Sequence, residues 1–219
     1  MIGVVGGGQL AMLLVEAGKK RGVDVVIQTA AKTDPAAKKT NQVILHDPTN
    51  PEGTKLLSEK SSLITFENEW VDIPSLLSLE NNGTAFVPKL QSIKPLINKI
   101  TQRELLNSLD IPCPDWLPIP LEKPSEIDLP DSWKFPLMAK ASKGGYDGKG
   151  TKIIRNIKEL QELLEVEREE QWMLEKWVSF DKELSIVSSR DSKGIVRSLP
   201  IVETYQSQQV CDWVLAPAD

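Results

Sequence analysis

Short apolar runs alternate with segments of helical spacing over the first ninety residues. Runs at 2–5, 23–28, 43–45, 63–66 and 86–87 have the length of buried strands. Over 9–21, Leu10, Leu13, Leu14 and Ala17 recur at the spacing of one helix face, and Gly22 closes that helix. Strands alternating with helices predict a parallel sheet covered on both faces. A helix is expected over 96–110, with Leu105, Leu106 and Leu109 on one face and Lys99 and Arg103 on another. Seven prolines from Pro112 to Pro136 forbid regular helix and predict an extended connection between two units, anchored by Trp116, Leu117 and Trp133. A second α/β pattern fills 137–190, with strands at 137–141, 151–154, 172–176 and 184–189. Asn156 followed by Glu159 makes a capping box before Leu160, Leu163 and Leu164. One more strand is expected over 195–202, and no internal repeat is present.

Composition narrows the chemistry mainly by exclusion. With 219 residues, 40% apolar and 26% charged, the chain has an ordinary soluble balance. A net charge of −5 and the lack of a long Lys/Arg run predict no nucleic-acid partner. No apolar segment approaches the ~20 residues of a membrane span, and the first residues pass straight into a strand without a signal-peptide pattern. Cys113 and Cys211 lie far apart and give no metal spacing, so two reduced thiols in the cytosol are expected rather than a disulfide. One histidine, His46, leaves little for a histidine triad or a multi-histidine metal site. Neither G-x-S-x-G nor G-x-x-x-x-G-K-[ST] occurs. Catalysis would rest on lysines, carboxylates and backbone dipoles.

The strongest chemical signal is Lys140 followed by Gly144, Gly145, Tyr146, Asp147, Gly148, Lys149 and Gly150. Such a loop brings backbone N–H groups and ammonium groups close to phosphates; a plain Asp-Gly hairpin accounts for Asp147 and Gly148 alone. About thirty residues on, Glu175, Lys176 and Val178 offer a carboxylate and a backbone edge to adenine, with Met138 and Val178 as apolar surroundings, and Glu183 follows. Gly6-x-Gly8-x-x-Ala11 leaves a strand and opens a helix, the setting of a dinucleotide turn. The second strand ends in Gln28-Thr29, with no acid to grip a ribose, so another phosphate-bearing ligand or a merely tight turn remains open. Thr65-Phe66-Glu67-Asn68-Glu69 ends a strand in two carboxylates, where open α/β sheets bind ligands or carry a solvated loop.

This order of motifs resembles the ATP-grasp superfamily, and within it the 5-(carboxyamino)imidazole ribonucleotide synthases. The match rests on Gly6-Gly7-Gly8-Gln9-Leu10, Glu67-Asn68-Glu69, Lys99 with Thr101-Gln102-Arg103, the 144–150 loop, Glu175 with Glu183, and Pro200-Ile201-Val202-Glu203. The resemblance implies a Rossmann-like pre-ATP-grasp sheet over 1–95 and an incomplete ATP-grasp domain over 96–219, with a lid at about 135–190. It implies that Lys99 and Lys140 contact ATP phosphates, that Glu175, Lys176 and Val178 hold adenine, and that Glu183 holds the ribose. Tyr146 and Lys149 would close over nucleotide and substrate. Gly8, Gln9 and Glu69, with Glu67 as a second carboxylate, would meet 5-aminoimidazole ribonucleotide. Bicarbonate would be activated as carboxyphosphate, and the whole enzyme would be a cytoplasmic homodimer.

Departures are also implied. Thr151 stands where the family has Gln, Thr204-Tyr205-Gln206 replaces Asn-x-His, and Asp212 sits near an expected basic residue. Family members continue beyond the position of Asp219, and the magnesium ligands are expected there rather than within these residues. Two readings follow: an encoded carboxylating ligase, or a truncated, non-catalytic chain that at most binds nucleotide and exposes apolar surface. Another ATP-grasp ligase is disfavoured by Glu67 to Glu69 and the Tyr146 loop, and an NAD enzyme by Gln28.

Overall fold

Four of the five predicted N-terminal strands form, all parallel. They are β1 (Ile2–Val5), β2 (Val25–Thr29), β3 (Val43–Leu45) and β4 (Leu63–Phe66), in the order β3-β2-β1-β4. The computed structural model describes residues 1–122, 127–144, 150–166, 170–207 and 210–219, and these fall into two units, Met1–Ile111 and Pro112–Asp219. In the first unit, helix α1 (Gln9–Lys20) covers one face of the sheet over Val4, Val25 and Ile27. Helices α2 (Pro51–Lys60), α3 (Ile73–Asn81) and α4 (Leu90–Ile93) belong to the other side. There Leu57, Ile64, Ile73, Leu76 and Leu90 build the larger core with Val5 and Val26. Asn50 and Asp72 cap α2 and α3 through their side chains.

Three expectations about this unit are corrected. The segment 86–87 is a single parallel bridge, Ile64 to Phe86, because Pro88 follows and has no N–H to extend the ladder. The leucine stripe of α1 faces outward: Leu10, Leu13 and Leu14 are exposed, while Ala11, Val15 and Gly18 meet the sheet. Close approach explains the inversion, since a Cβ at Gly18 would come within 2.7 Å of the Val23 carbonyl oxygen. Small residues let the helix seat; leucines would hold it off. Gly22 does terminate α1, at φ +67°, with Val23 N–H donating to Gly18 O at 2.9 Å. Helix α5 (Lys99–Ser108) is shorter than expected and starts at Asn98, whose side chain caps Ile100 N–H; a 3₁₀ turn, Lys94–Leu96, precedes it.

The second unit holds β5 (Trp116–Ile119), β6 (Leu137–Ala141), β7 (Thr151–Ile154), helix α6 (Ile157–Glu165) and β8 (Trp172–Lys176). The sheet runs β5-β8-β6-β7 and is antiparallel throughout. Strand β5 lies inside the proline-rich tract that was expected to be a connection only. It is an edge strand, where Pro118 has no neighbour to which an N–H must donate. Helix α6 has the predicted cap: Asn156 Oδ1 accepts from Glu159 N–H at 3.0 Å. The Glu159 carboxylate reaches back to Arg155 N–H at 2.9 Å, one residue before the cap itself. Leu160, Leu163 and Leu164 seal Leu137, Ala139, Ile154 and Leu174 beneath this helix.

Five further strands follow: β9 (Glu183–Ser185), β10 (Ser188–Arg190), β11 (Val196–Ser198), β12 (Val202–Ser207) and β13 (Val210–Leu215). The single strand expected at 184–189 is two strands with different partners, β9 with β12 and β10 with β11. That expected at 195–202 is divided at Pro200, which lacks a ladder donor. Among the described residues no helix is long and apolar enough to cross a membrane.

Candidate functional site

In the first unit, β1 is flanked by β2 on one side and β4 on the other, so the strand order reverses at the carboxyl ends of β1 and β4. Ligands gather at such a point. Here Gly6 to Gly8 leave β1 while Glu67 to Glu69 leave β4. Glu67 folds back onto the start of α1: the N–H groups of Gly8 (2.7 Å), Leu10 (3.1 Å) and Ala11 (3.3 Å) donate to its carboxylate. The glycines permit this approach, since a Cβ at Gly6 or Gly8 would lie 2.5 Å from Glu67 atoms, and Gly6 sits at φ +126°. Replacing Gly6 with alanine combines that clash with backbone strain, and unfolding should become easier by about 2–3 kcal/mol. Urea denaturation of the variant measures it, and an unchanged midpoint would contradict the packing described.

Gln28, where a dinucleotide site would carry an acid, is fully buried and fully engaged. Its amide donates to Asp47 O (2.7 Å) and Asn50 O (3.0 Å), and its Oε1 accepts from Thr54 Oγ1 (2.9 Å). It braces the approach to α2. Next to Glu67, Asn68 Oδ1 accepts from Trp70 N–H at 3.0 Å, a local turn that orients half-buried Glu69. Gln9 is exposed at the first position of α1. Lys99 opens α5 in this unit.

In the second unit, α6 covers one face of the sheet, and the functional side chains lie on the other. The registers Met138–Glu175, Lys140–Met173, Met138–Ile153 and Trp116–Glu175 put Trp116, Met138, Lys140, Ile153 and Glu175 together on that face. There Lys140 Nζ is ion-paired with Glu175, whose side chain is only 4% exposed. An ammonium has three N–H donors, so the pair leaves donors for a ligand. A cleft of about 310 Å³ opens over them. Pro114, Met138, Trp177, Val178 and Phe180 give it apolar walls, and Lys140, Glu175 and Lys176 supply polar groups. A flat apolar slot with few convergent polar groups suits a heterocycle bearing an anionic tail.

The expected residues therefore gather in part. Lys140, Glu175, Lys176 and Val178 share the cleft. The Lys176 N–H is already committed to Asp115 O at 2.9 Å. Glu183 is exposed at the start of β9, opposite Thr204, and does not line the cleft. Gly150 ends the glycine-rich loop at φ +76°, its carbonyl accepting from Ala141 N–H at 2.8 Å. Gly145, Tyr146, Asp147, Gly148 and Lys149 lie outside the described residues. Pro114, Trp177 and Phe180 were not anticipated. The signal for Trp177 and Phe180 is an apolar cluster just past the end of β8, where strand alternation no longer requires a core residue; Pro114 lies just before β5. Among the described residues no three His, Cys, Asp or Glu side chains gather as a metal site.

Comparison with known proteins agrees with this architecture. The ribonucleotide synthetase preATP-grasp domain matches residues 1–96, and the ATP-grasp domain matches residues 104–219, more than half of the chain. The chain belongs to the ATP-grasp family. Among ATP-grasp relatives, it is 38% identical to the N5-carboxyaminoimidazole ribonucleotide synthase of Synechococcus elongatus, over 99% of this chain and 55% of that protein. With the enzyme of the same name from Synechocystis sp. the identity is 40%, over 99% and 54%. The chain thus spans about half the length of the curated relatives it matches. Its fold superposes on the carboxyaminoimidazole ribonucleotide synthase of Aspergillus clavatus complexed with ATP, at a TM-score of 0.87 and 27% identity, over 99% of this chain and 57% of that one. The Aspergillus clavatus enzyme in complex with ADP and 5-aminoimidazole ribonucleotide gives 0.85, also at 27% identity, over 100% and 57%. An α/β chain with a parallel N-terminal sheet and a partial ATP-grasp domain is what this family membership requires.

Proposed function

We propose that these residues serve the ATP- and bicarbonate-dependent carboxylation of 5-aminoimidazole ribonucleotide to N5-carboxyaminoimidazole ribonucleotide, a step of purine biosynthesis in the cytoplasm. The Lys140–Glu175 pair, set in an apolar cleft on the uncovered face of the sheet, carries this reading. Adenine lies against Met138 and Val178 and gives its amino group to Glu175, while the Lys176 carbonyl and the Val178 N–H meet its edge. Glu183, at the start of β9 outside the cleft, would hold the ribose where the nucleotide extends beyond the apolar walls. Lys99 and Lys140 neutralise phosphate charge, and the backbone of Gly145, Gly148 and Gly150 with Asp147 borders the phosphates. Tyr146 and Lys149 cover them. Gly8, Gln9 and Glu69 receive the aminoimidazole end of the second substrate. Neither nucleic acid nor membrane enters this reading, and the whole enzyme is a homodimer.

A bicarbonate oxygen attacks the γ-phosphorus, the bond to ADP breaks, and carboxyphosphate forms. The exocyclic amine then attacks its carboxyl carbon, phosphate departs, and the amine loses a proton. Phosphoryl transfer of this kind needs positioning and charge neutralisation more than a protein nucleophile, and the short-lived carboxyphosphate needs water kept away. Magnesium, implied by the resemblance, would add neutralisation of phosphate charge when bound. Among the described residues no cluster of His, Cys, Asp or Glu forms its ligand set.

Thermal melting with ATP, ADP and NAD tests the nucleotide part. ATP and ADP should raise the melting temperature and NAD should not, because only a ligand of the folded state stabilises it. ADP release with bicarbonate and 5-aminoimidazole ribonucleotide, against Lys140→Ala, tests the reaction. Folded protein protected by ATP but without turnover would restrict the chain to nucleotide binding. Protection by NAD alone would remove the proposal.

A further inference from the structure

We infer that Glu67 is the resident anion of the glycine turn in the first unit. As a positioning residue it bars phosphate from the start of α1 and leaves Glu69 as the carboxylate presented to the substrate. The identity of that substrate rests on the function proposed above. The turn has the features that ordinarily bind phosphate: a strand end, glycines, and a twelve-residue helix opening at a point where strand order reverses. The first turn of α1 has no capping side chain of its own and no acidic residue of its own. Its N–H groups at Gly8, Leu10 and Ala11 donate instead to a carboxylate 56 to 59 residues away.

Three consequences follow. The partial positive charge of the helix end, roughly half a unit, is already met by a full negative one, so an arriving phosphate encounters net repulsion. There is also no room, because Glu67 atoms lie 2.5 Å from where a Cβ of Gly6 or Gly8 would stand. Finally, Glu67 is tied twice, by its carboxylate to α1 and by its N–H to Val5 O at 2.9 Å. The Asn68 turn then sets Glu69 at a fixed distance from that anchor. Among the described residues the Glu69 carboxylate has no hydrogen-bond or ion-pair partner.

The test uses the 219-residue chain and two small anions, inorganic phosphate and formate, at matched ionic strength. Thermal melting and hydrogen exchange of the peptide covering residues 6–12 are the readouts. In the wild type, phosphate should change neither. Glu67→Ala should melt about 5 °C or more lower, from the loss of hydrogen bonds to a charged group. Formate, which replaces the missing carboxylate, should restore part of that loss and re-protect the peptide. Phosphate should now do likewise. Glu67→Gln should not be rescued, because its amide still fills the space. Phosphate protecting the peptide in the wild type would overturn the inference, and this arm stands even if Glu67→Ala does not fold. A folded Glu67→Ala indifferent to both anions would overturn it as well. ATP protection reports on the second unit, so its failure would count against the proposed function and leave this result intact.

Discussion

Replacing Lys140 with methionine is expected to weaken ATP binding about 10- to 100-fold, the worth of one charge-assisted hydrogen bond to a phosphate. It should also destabilise the second unit. Glu175 is 3% exposed and would lose the ammonium that offsets its burial. Breaking a buried pair by removing one partner costs about 3–5 kcal/mol. With the Lys140 side chain 26% exposed, solvent screens part of that, and about 2 kcal/mol is expected here. The two effects separate in a double-mutant cycle. Glu175→Gln added to Lys140→Met removes both charges at similar volume, so stability should return towards wild type. Nucleotide affinity should not return, because neither the phosphate cation nor the carboxylate acceptor has been restored. Calorimetric titration with ATP and urea denaturation of the four proteins measure both quantities. Recovery of affinity in the double variant would mean that the pair is a structural brace and that the nucleotide binds elsewhere.

Much of this site could be read in the chain because its determinants are local. Lys140 precedes a glycine-rich loop and Glu175 follows a capped helix, so motif order placed both at strand ends, and antiparallel pairing brought them together. The strands at 2–5, 43–45, 63–66, 137–141, 151–154 and 172–176 stand where apolar run length put them. What escaped depends on tertiary packing rather than on local pattern. The outward stripe of Leu10, Leu13 and Leu14 has the spacing of a core face, and only the tight seat of Gly18 on Val23 and Val25 shows which face is buried. Strand β5 was hidden by Pro118, which is tolerated because that strand is at an edge. The capture of the α1 terminus by Glu67 joins residues 59 apart, and no local pattern announces it.

The sheet formed by β9, β12 and β13 is expected to make the chain self-associate. Its registers place Leu184, Glu203, Tyr205, Trp213 and Leu215 on one face and Glu183, Ser185, Val202, Thr204 and Val214 on the other. Such alternation marks a sheet with one face buried and one in water. Yet Leu184, Tyr205, Trp213 and Leu215 are between 41% and 56% exposed. Tyr205 and Trp213 stack on each other at 5.1 Å, and Glu203 is satisfied by Lys182 at 2.9 Å, so this face is ordered but uncovered. Contiguous apolar surface of this kind drives association, and the outer side of β13, unpaired among the described residues, adds a strand edge on which other chains can pair. Light scattering should therefore show concentration-dependent species larger than 24.4 kDa, and a dye that fluoresces on apolar surface should bind to the folded protein. Trp213→Lys with Leu215→Lys places two charges on this face at exposed positions. The pair should reduce both signals several-fold and leave ATP protection unchanged, since neither residue lines the cleft over Lys140 and Glu175. A monodisperse wild-type chain that binds no dye would refute this prediction. Equal association by the double variant would move the cause to another surface, with the outward leucines of α1 the next to substitute.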